Sequence, residues 1–313
     1  MNTSFVLPRG VIASSMTPFK TDGSPDLALI KPHIDWLISE GVEALSPIGS
    51  AGEFYAMESG DRKAVLEAVM KANAGRKPII AGTHHFSTAI TIDLGRHAAS
   101  VGADAMLIVP PYYACPNTLA VMDHYRRIAE AVSIPTVLYH NSAMTGCDLS
   151  TAQIKALWEE GAIAGVKFSN ALPDRLVELF QATGGKLPIY AGFDFVAFEA
   201  LSHGLYGWIS GIPSIVPSRA IRLYNAIAKD GNLVSAREQW TRLAPLMRFM
   251  FQLRSNGVSG AHSIGVMKAA LAMIGPGVGD PKPPVQKLTA AEESTLAGLL
   301  ADLGYDVRRR AAA

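Results

Sequence analysis

Cysteine is almost missing from this chain of 313 residues, with only Cys115 and Cys147 present. Two thiols are too few for a disulfide framework and have no metal-ligand spacing, so a reducing, cytoplasmic setting is expected. Charge is scarce as well. Asp, Glu, Lys and Arg make up 18% of the residues and nearly cancel, leaving a net charge of +1. Nucleic acid and anionic membrane surfaces demand a concentrated basic footprint, so neither is an expected partner. The one basic cluster, Arg308, Arg309 and Arg310, reads as a solvated tail. No run of about 18 apolar residues exists to span a membrane. Residues 1–9 lack a basic segment followed by an apolar one, so no secretory leader is expected. Low-complexity linkers and short-period repeats are missing too. A Gly-rich phosphate fingerprint is also absent. The first apolar strand runs instead into Ser14-Ser15-Met16-Thr17-Pro18, which argues against an open dinucleotide-binding sheet.

What the chain has in quantity is apolar residues, 49% of the total, enough for a sizeable core. They fall into short strand patterns at 11–16, 42–48, 78–83, 105–109, 136–140, 163–168, 187–191 and 207–210. Several are apolar throughout, as parallel strands buried on both faces must be. Amphipathic helix patterns alternate with them at 26–40, 59–74, 88–101, 119–132, 151–159, 172–183 and 195–203. Gly41, Gly102, Gly161 and Gly204 follow four of these helices, where a left-handed residue closes the last turn. Eight strands with helical crossovers predict a (β/α)8 TIM barrel over residues 1–220. The alternation then stops. Helix patterns at 221–230, 234–253, 263–274 and 290–303 predict a C-terminal helical extension, residues 221–313, packed on the barrel rather than independent of it.

A TIM barrel carries its chemistry at the C-terminal ends of its strands. Lys167 stands there in Ala164-Gly165-Val166-Lys167-Phe168, an apolar strand in which a lysine is out of place. An isolated lysine at a strand exit ordinarily keeps its ammonium in water. A lysine drawn out of water is pushed toward its neutral form, and a neutral amine attacks a ketone to give an imine. That imine is an electron sink for carbanion chemistry at the next carbon. Tyr139 ends the preceding strand, and its phenol can relay a proton if it reaches the same carbonyl; the structural alternative is an interior barrel aromatic. Gly49-Ser50-Ala51-Gly52-Glu53 leaves the second strand. Two glycines permit a turn of converging N–H groups suited to a carboxylate, although a plain strand-to-helix turn has the same composition. Ser50 adds a hydroxyl that can join a phenolic proton relay.

With Thr17-Pro18-Phe19, the Gly-Ser-Ala-Gly-Glu turn, Pro110-Pro111-Tyr112-Tyr113, Tyr139 with Thr145-Gly146, Gly165-Val166-Lys167 and Gly192-Phe193-Asp194, nearly the whole chain resembles one family. It is the dihydrodipicolinate synthase and N-acetylneuraminate lyase family of class I pyruvate-dependent aldolases. The resemblance implies a Schiff base on Lys167 with pyruvate or another 2-keto acid, and no cofactor or metal. Tyr139 would be the acid/base phenol, aided by Ser50 and by Tyr113 reaching into a neighbouring subunit. The backbone amides of Ser50 and Ala51 would hold the keto acid's carboxylate. Ser169, Gly192, Asp194 and Ser210 would lie along the substrate, with His140 and Met144 also in the binding set. A homotetramer, a dimer of dimers, is implied as well.

The departures from the family pattern bear on substrate. Met144 stands where the synthases have an arginine for the aldehyde's distal carboxylate, and a thioether cannot replace a bidentate cation. Ala51 removes one of two hydroxyls usual in the turn, His140 replaces an asparagine, and Phe195 replaces the acid of the sialic-acid lyases. The expectation is cleavage, condensation or dehydration of a 2-keto-3-deoxy sugar acid, with pyruvate as product or donor and an aldehyde as partner. True dihydrodipicolinate synthase activity, from pyruvate and aspartate semialdehyde, is the first alternative. The others are a metal-dependent barrel enzyme using His84, His140 and Asp194, with His85 and Glu53 nearby, and a non-catalytic keto-acid-binding protein.

Overall fold

The computed structural model of the chain describes residues 5–114, 116–251 and 263–308. Cys115, Arg309, Arg310 and the end of the helix expected over 234–253 lie outside the described residues. Eight parallel strands run β1 (Gly10–Ala13), β2 (Ala44–Leu45), β3 (Ile80–Gly82), β4 (Ala105–Ile108), β5 (Thr136–His140), β6 (Gly165–Phe168), β7 (Ile189–Ala191) and β8 (Gly207–Ser210). Hydrogen bonding links them in the order β2-β1-β8-β7-β6-β5-β4-β3, and a parallel bridge from Leu45 to Ile79 closes the ring. The (β/α)8 barrel is therefore present, and every strand residue is buried, as the largely apolar patterns call for.

Helices α1 (Leu27–Ser39), α2 (Ser59–Asn73), α3 (Thr88–Ser100) and α4 (Thr118–Ala131) follow the first four strands. A one-turn α5 (Ser142–Thr145) and then α6 (Thr151–Glu159) follow β5, while α7 (Pro173–Ala182) and α8 (Ala197–Ser202) follow β6 and β7. Side-chain oxygens open several of them: Asn117 accepts from Ala120 N–H, and Ser150 forms a reciprocal capping box with Gln153. Gly41, Gly102, Gly161 and Gly204 all have φ between 77° and 91°, the left-handed closure their positions call for.

Two strands are shorter than their apolar runs. β1 stops at Ala13 because Met16 N–H turns to donate to the imidazole of His33 on α1, at 3.1 Å. β2 keeps only Ala44–Leu45 because Pro47 brings no N–H and Ile48 adopts φ 59°. Contact with β3 persists through the Pro47 carbonyl, which accepts from Gly82 N–H at 2.9 Å.

After β8 come α9 (Ile212–Ile215) and α10 (Pro217–Ala228). α10 packs against β1, and Pro217 in its first turn starts it four residues before the apolar pattern at 221. The remaining helices are α11 (Leu233–Met250), α12 (Ser263–Ile274) and α13 (Ala290–Asp302). α12 packs on α9, and α11 packs on the turn that follows β7. Met247 and Met250 are buried in the same core cluster as Trp208 and Ile212. The extension thus leans on the C-terminal end of the barrel, beside the strand exits where chemistry belongs.

Candidate active site

Parallel pairing of β5 with β6 sets Tyr139 opposite Lys167. Both side chains point into the barrel, and Lys167 Nζ stands 3.9 Å from the centre of the Tyr139 ring. Both residues are buried. Burial pushes the Tyr139 phenol up, but the Lys167 ammonium and hydrogen-bonding side chains of Ser50, Asn141 and Ser169 outweigh it, so the pKa falls below 10.0. Asn141 Nδ2 donates to the phenol oxygen at 3.2 Å. The Ser169 hydroxyl is buried beside the same phenol without completing a well-aligned bond of its own. A phenol whose pKa is lowered, next to an amine, can exchange a proton with a group bound between them.

The turn after β2 supplies the second part of the site. Ile48 and Glu53 both take left-handed φ, at 59° and 56°, and bracket Gly49, Ser50, Ala51 and Gly52. Glu53 N–H returns to Ser50 O and Phe54 N–H to Gly49 O, while Thr17 Oγ1 donates to Gly52 O at 2.8 Å. The N–H groups of Ser50 and Ala51 find no acceptor among the described residues. They are free to bind an anion such as a carboxylate. A side chain on Gly52 would press on Ile48 N at 3.0 Å, so the tight turn requires a glycine there.

The remaining residues of the expected site are distributed unevenly. Gly192 lies against Lys167 and Ser169, since an added Cβ would stand 2.9 Å from Lys167 Cγ. Asp194 and Ser210 meet on the outer side of β8: Asp194 Oδ1 accepts from Trp208 Nε1 at 3.0 Å, from Ile212 N–H at 3.3 Å and from Ser210 Oγ. Burial, only partly opposed by these donors and by Lys167, raises the Asp194 pKa to about 6. Its Oδ2 is buried without a hydrogen-bond partner among the described residues. Met144 sits on α5, 79% exposed above the barrel. Tyr113 is 74% exposed, with its ring beside Phe86 and no described contact to Tyr139 in the same chain. His140 points away from Tyr139, stacked on Phe168 at 4.7 Å, and its Nε2 accepts from Leu149 N–H. Burial lowers its pKa to about 4. It is a packing residue between the barrel and its helices.

His84, His140 and Asp194 are not gathered around one point, and no metal-binding group of three His, Cys, Asp or Glu side chains occurs among the described residues. Glu53 turns away from the site to pair with Lys268 at 2.8 Å. Asn141 and His33 were not singled out by sequence. Asn141 has only its place two residues beyond Tyr139 to mark it. Trp208 meets Asp194 through its Nε1, a bond that depends on the turn after β7. His33 lies mid-helix, and nothing local ties it to Met16.

Among the described residues no helix is long and apolar enough to cross a membrane. The family model for the dihydrodipicolinate synthetase family matches residues 7–303. A 4-hydroxy-tetrahydrodipicolinate synthase of Methanothrix thermoacetophila is 32% identical, over 96% of this chain and 99% of its own. The crystal structure of YagE, an E. coli K12 prophage protein of the dihydrodipicolinic acid synthase family in complex with pyruvate, superposes with a TM-score of 0.88. It is 28% identical, and the match covers 96% of this chain and all of that one. Dihydrodipicolinate synthase from Aquifex aeolicus gives a TM-score of 0.87 at 26% identity, over 96% of this chain and 100% of its own.

Proposed function

Because the chain belongs to the dihydrodipicolinate synthetase family, it is a lyase of the pyruvate-dependent, class I type, and we propose that it acts on a 2-keto-3-deoxy sugar acid. The observation that carries the chemistry is Lys167 Nζ at 3.9 Å from the Tyr139 ring inside a closed barrel. Lys167 passes a proton to the Tyr139 phenolate, and the freed amine adds to the C2 carbonyl. The Tyr139 phenol gives the proton to the departing hydroxyl, so that water leaves and a protonated imine forms. For cleavage, the Tyr139 phenolate takes the proton from the C4 hydroxyl. The C3–C4 bond breaks, its electron pair enters the protonated imine to form a neutral enamine, and an aldehyde departs. Protonation at C3 and hydrolysis then release pyruvate and restore Lys167. The Ser50 and Ala51 N–H groups hold the C1 carboxylate throughout. No metal or organic cofactor enters these steps. That YagE was solved with pyruvate supports the same 2-keto acid here.

Met144 supports the choice of a sugar acid. An exposed thioether on α5 offers nothing to a distal carboxylate, whereas polyhydroxylated chains need only hydrogen-bond partners. The names of curated relatives favour the second reading, condensation of pyruvate with aspartate semialdehyde. We further propose a homotetramer in which the exposed Tyr113 completes the partner's proton relay. Assaying pyruvate release from several 2-keto-3-deoxy sugar acids alongside aspartate semialdehyde condensation tests the substrate. Turnover of a sugar acid at least tenfold more efficient is expected, and efficient condensation with none of the sugar acids turned over would select the second reading. Sedimentation of the wild type and Tyr113→Phe tests the assembly: a monomeric wild type would remove Tyr113 from the relay.

A further inference from the structure

His84 follows β3 and is fully buried, yet none of the steps above uses it. Thr83 N–H donates to Leu107 O and Val109 N–H donates to His84 Nδ1 at 2.9 Å, which sets the imidazole opposite Val109 in the barrel mouth. Because Nδ1 is an acceptor, the neutral ring carries its proton on Nε2. Burial, reinforced by the charges of Arg62 and Lys167, holds the pKa well below 6.5, so the ring is neutral at ordinary pH. Nε2 nevertheless has no hydrogen-bond partner among the described residues. A buried donor left unpaired is unfavourable, and an acceptor bound in the site would relieve it.

The surroundings of that N–H indicate which acceptor it meets. The ring lies 6.0 Å from the Tyr139 ring and 4.5 Å from Phe54, the residue that follows the carboxylate-binding turn. A Cβ added at Gly82 would overlap Ile48 O and stand 2.9 Å from Nε2, so that nitrogen crowds the foot of the same turn. The turn itself is short of side-chain donors. Ala51 has no hydroxyl, and the Ser50 hydroxyl lies near enough to Tyr139 to help lower its pKa. We propose that His84 is a substrate-binding residue whose Nε2–H donates to the carboxylate of the 2-keto acid, in place of the hydroxyl that Ala51 lacks. This inference rests on the Schiff-base reading of Lys167 and adds a specificity group to it.

Borohydride trapping of the pyruvate imine as a function of pyruvate concentration tests it. His84→Phe keeps a ring but removes the donor, and the apparent Kd is expected to rise about tenfold or more, as for a lost bond to a charged group. The maximal rate of trapping is expected to change far less. Ala51→Thr in the His84→Phe background returns a hydroxyl to the turn and is expected to recover most of the affinity, which a purely structural histidine would not allow. In the unsubstituted protein, 15N-histidine spectra are expected to show the His84 Nε2–H shifting downfield on saturation with pyruvate. An unmoved signal, or tight pyruvate binding by His84→Phe, would overturn the inference while leaving Lys167 trapping in the wild type intact. A wild type that traps no pyruvate on Lys167 would overturn the lyase reading and this inference together.

Discussion

A methyl group at Gly192 would overlap the Ser169 hydroxyl and press on Lys167 Cγ, so this glycine lets the chain leaving β7 pass beside Lys167. Gly192→Ala is therefore expected to displace Lys167 or Ser169, at a strain of about 1–3 kcal/mol. Imine trapping should fall at least tenfold while the far-UV circular dichroism stays unchanged; normal trapping would show that the neighbours give way freely. Tyr139 is held differently, by its register opposite Lys167 and by Asn141. Tyr139→Phe removes the phenol hydroxyl and leaves the ring, so kcat is expected to fall by roughly 10²–10⁴ with pyruvate still trapped on Lys167. A kcat within threefold of wild type would assign the proton to another group.

At the scale of elements, α1 is tied to the loop after β1 by one imidazole. His33 accepts from Met16 N–H, and burial, aided by Lys268, lowers its pKa from 6.5 to about 3. The unfolded chain binds this proton below about 6.5 and the folded chain does not. Stability from this group is therefore full above 6.5 and is lost as pH falls toward 3, by about 1.4 kcal/mol per pH unit. His33→Gln is expected to flatten that acid slope in urea titrations at pH 7, 6 and 5; an unchanged slope would remove His33 from the acid response. The elements themselves were largely legible. Mostly apolar runs such as 136–140 and 207–210 coincide with β5 and β8, because a strand buried on both faces draws chiefly on apolar residues. Shortened strands were not legible, since the left-handed Ile48 and the His33 bond are set by tertiary contact. The same contrast holds in the site. Lys167 and Tyr139 announce themselves as polar groups on apolar strands, whereas the outward face of His140 appears only once the strand register is known.

Across the whole molecule, the extension and the barrel are joined by a buried ion pair. Lys268 of α12 meets Glu53 at 2.8 Å and also donates to the carbonyls of Thr17 and Asp280. Glu53 in turn accepts from Lys282 N–H. One lysine thus pins the turn after β2, the loop after β1 and the segment before α13. Lys268→Met leaves Glu53 buried and unpaired, and is expected to lower stability by about 3–5 kcal/mol, with part recovered in the double variant with Glu53→Gln. Calorimetry of the wild type is expected to give one transition. Two separated transitions would mean that the extension folds as a domain of its own.

The central claim is that Lys167 is the amine that carries the substrate. Incubation with pyruvate, borohydride reduction and peptide mass mapping test it directly, with Lys167→Ala as the control. The account predicts one pyruvyl adduct, on the peptide containing Lys167, and none in the variant. No adduct with pyruvate or with longer 2-keto acids, or an adduct that persists in Lys167→Ala, would contradict it.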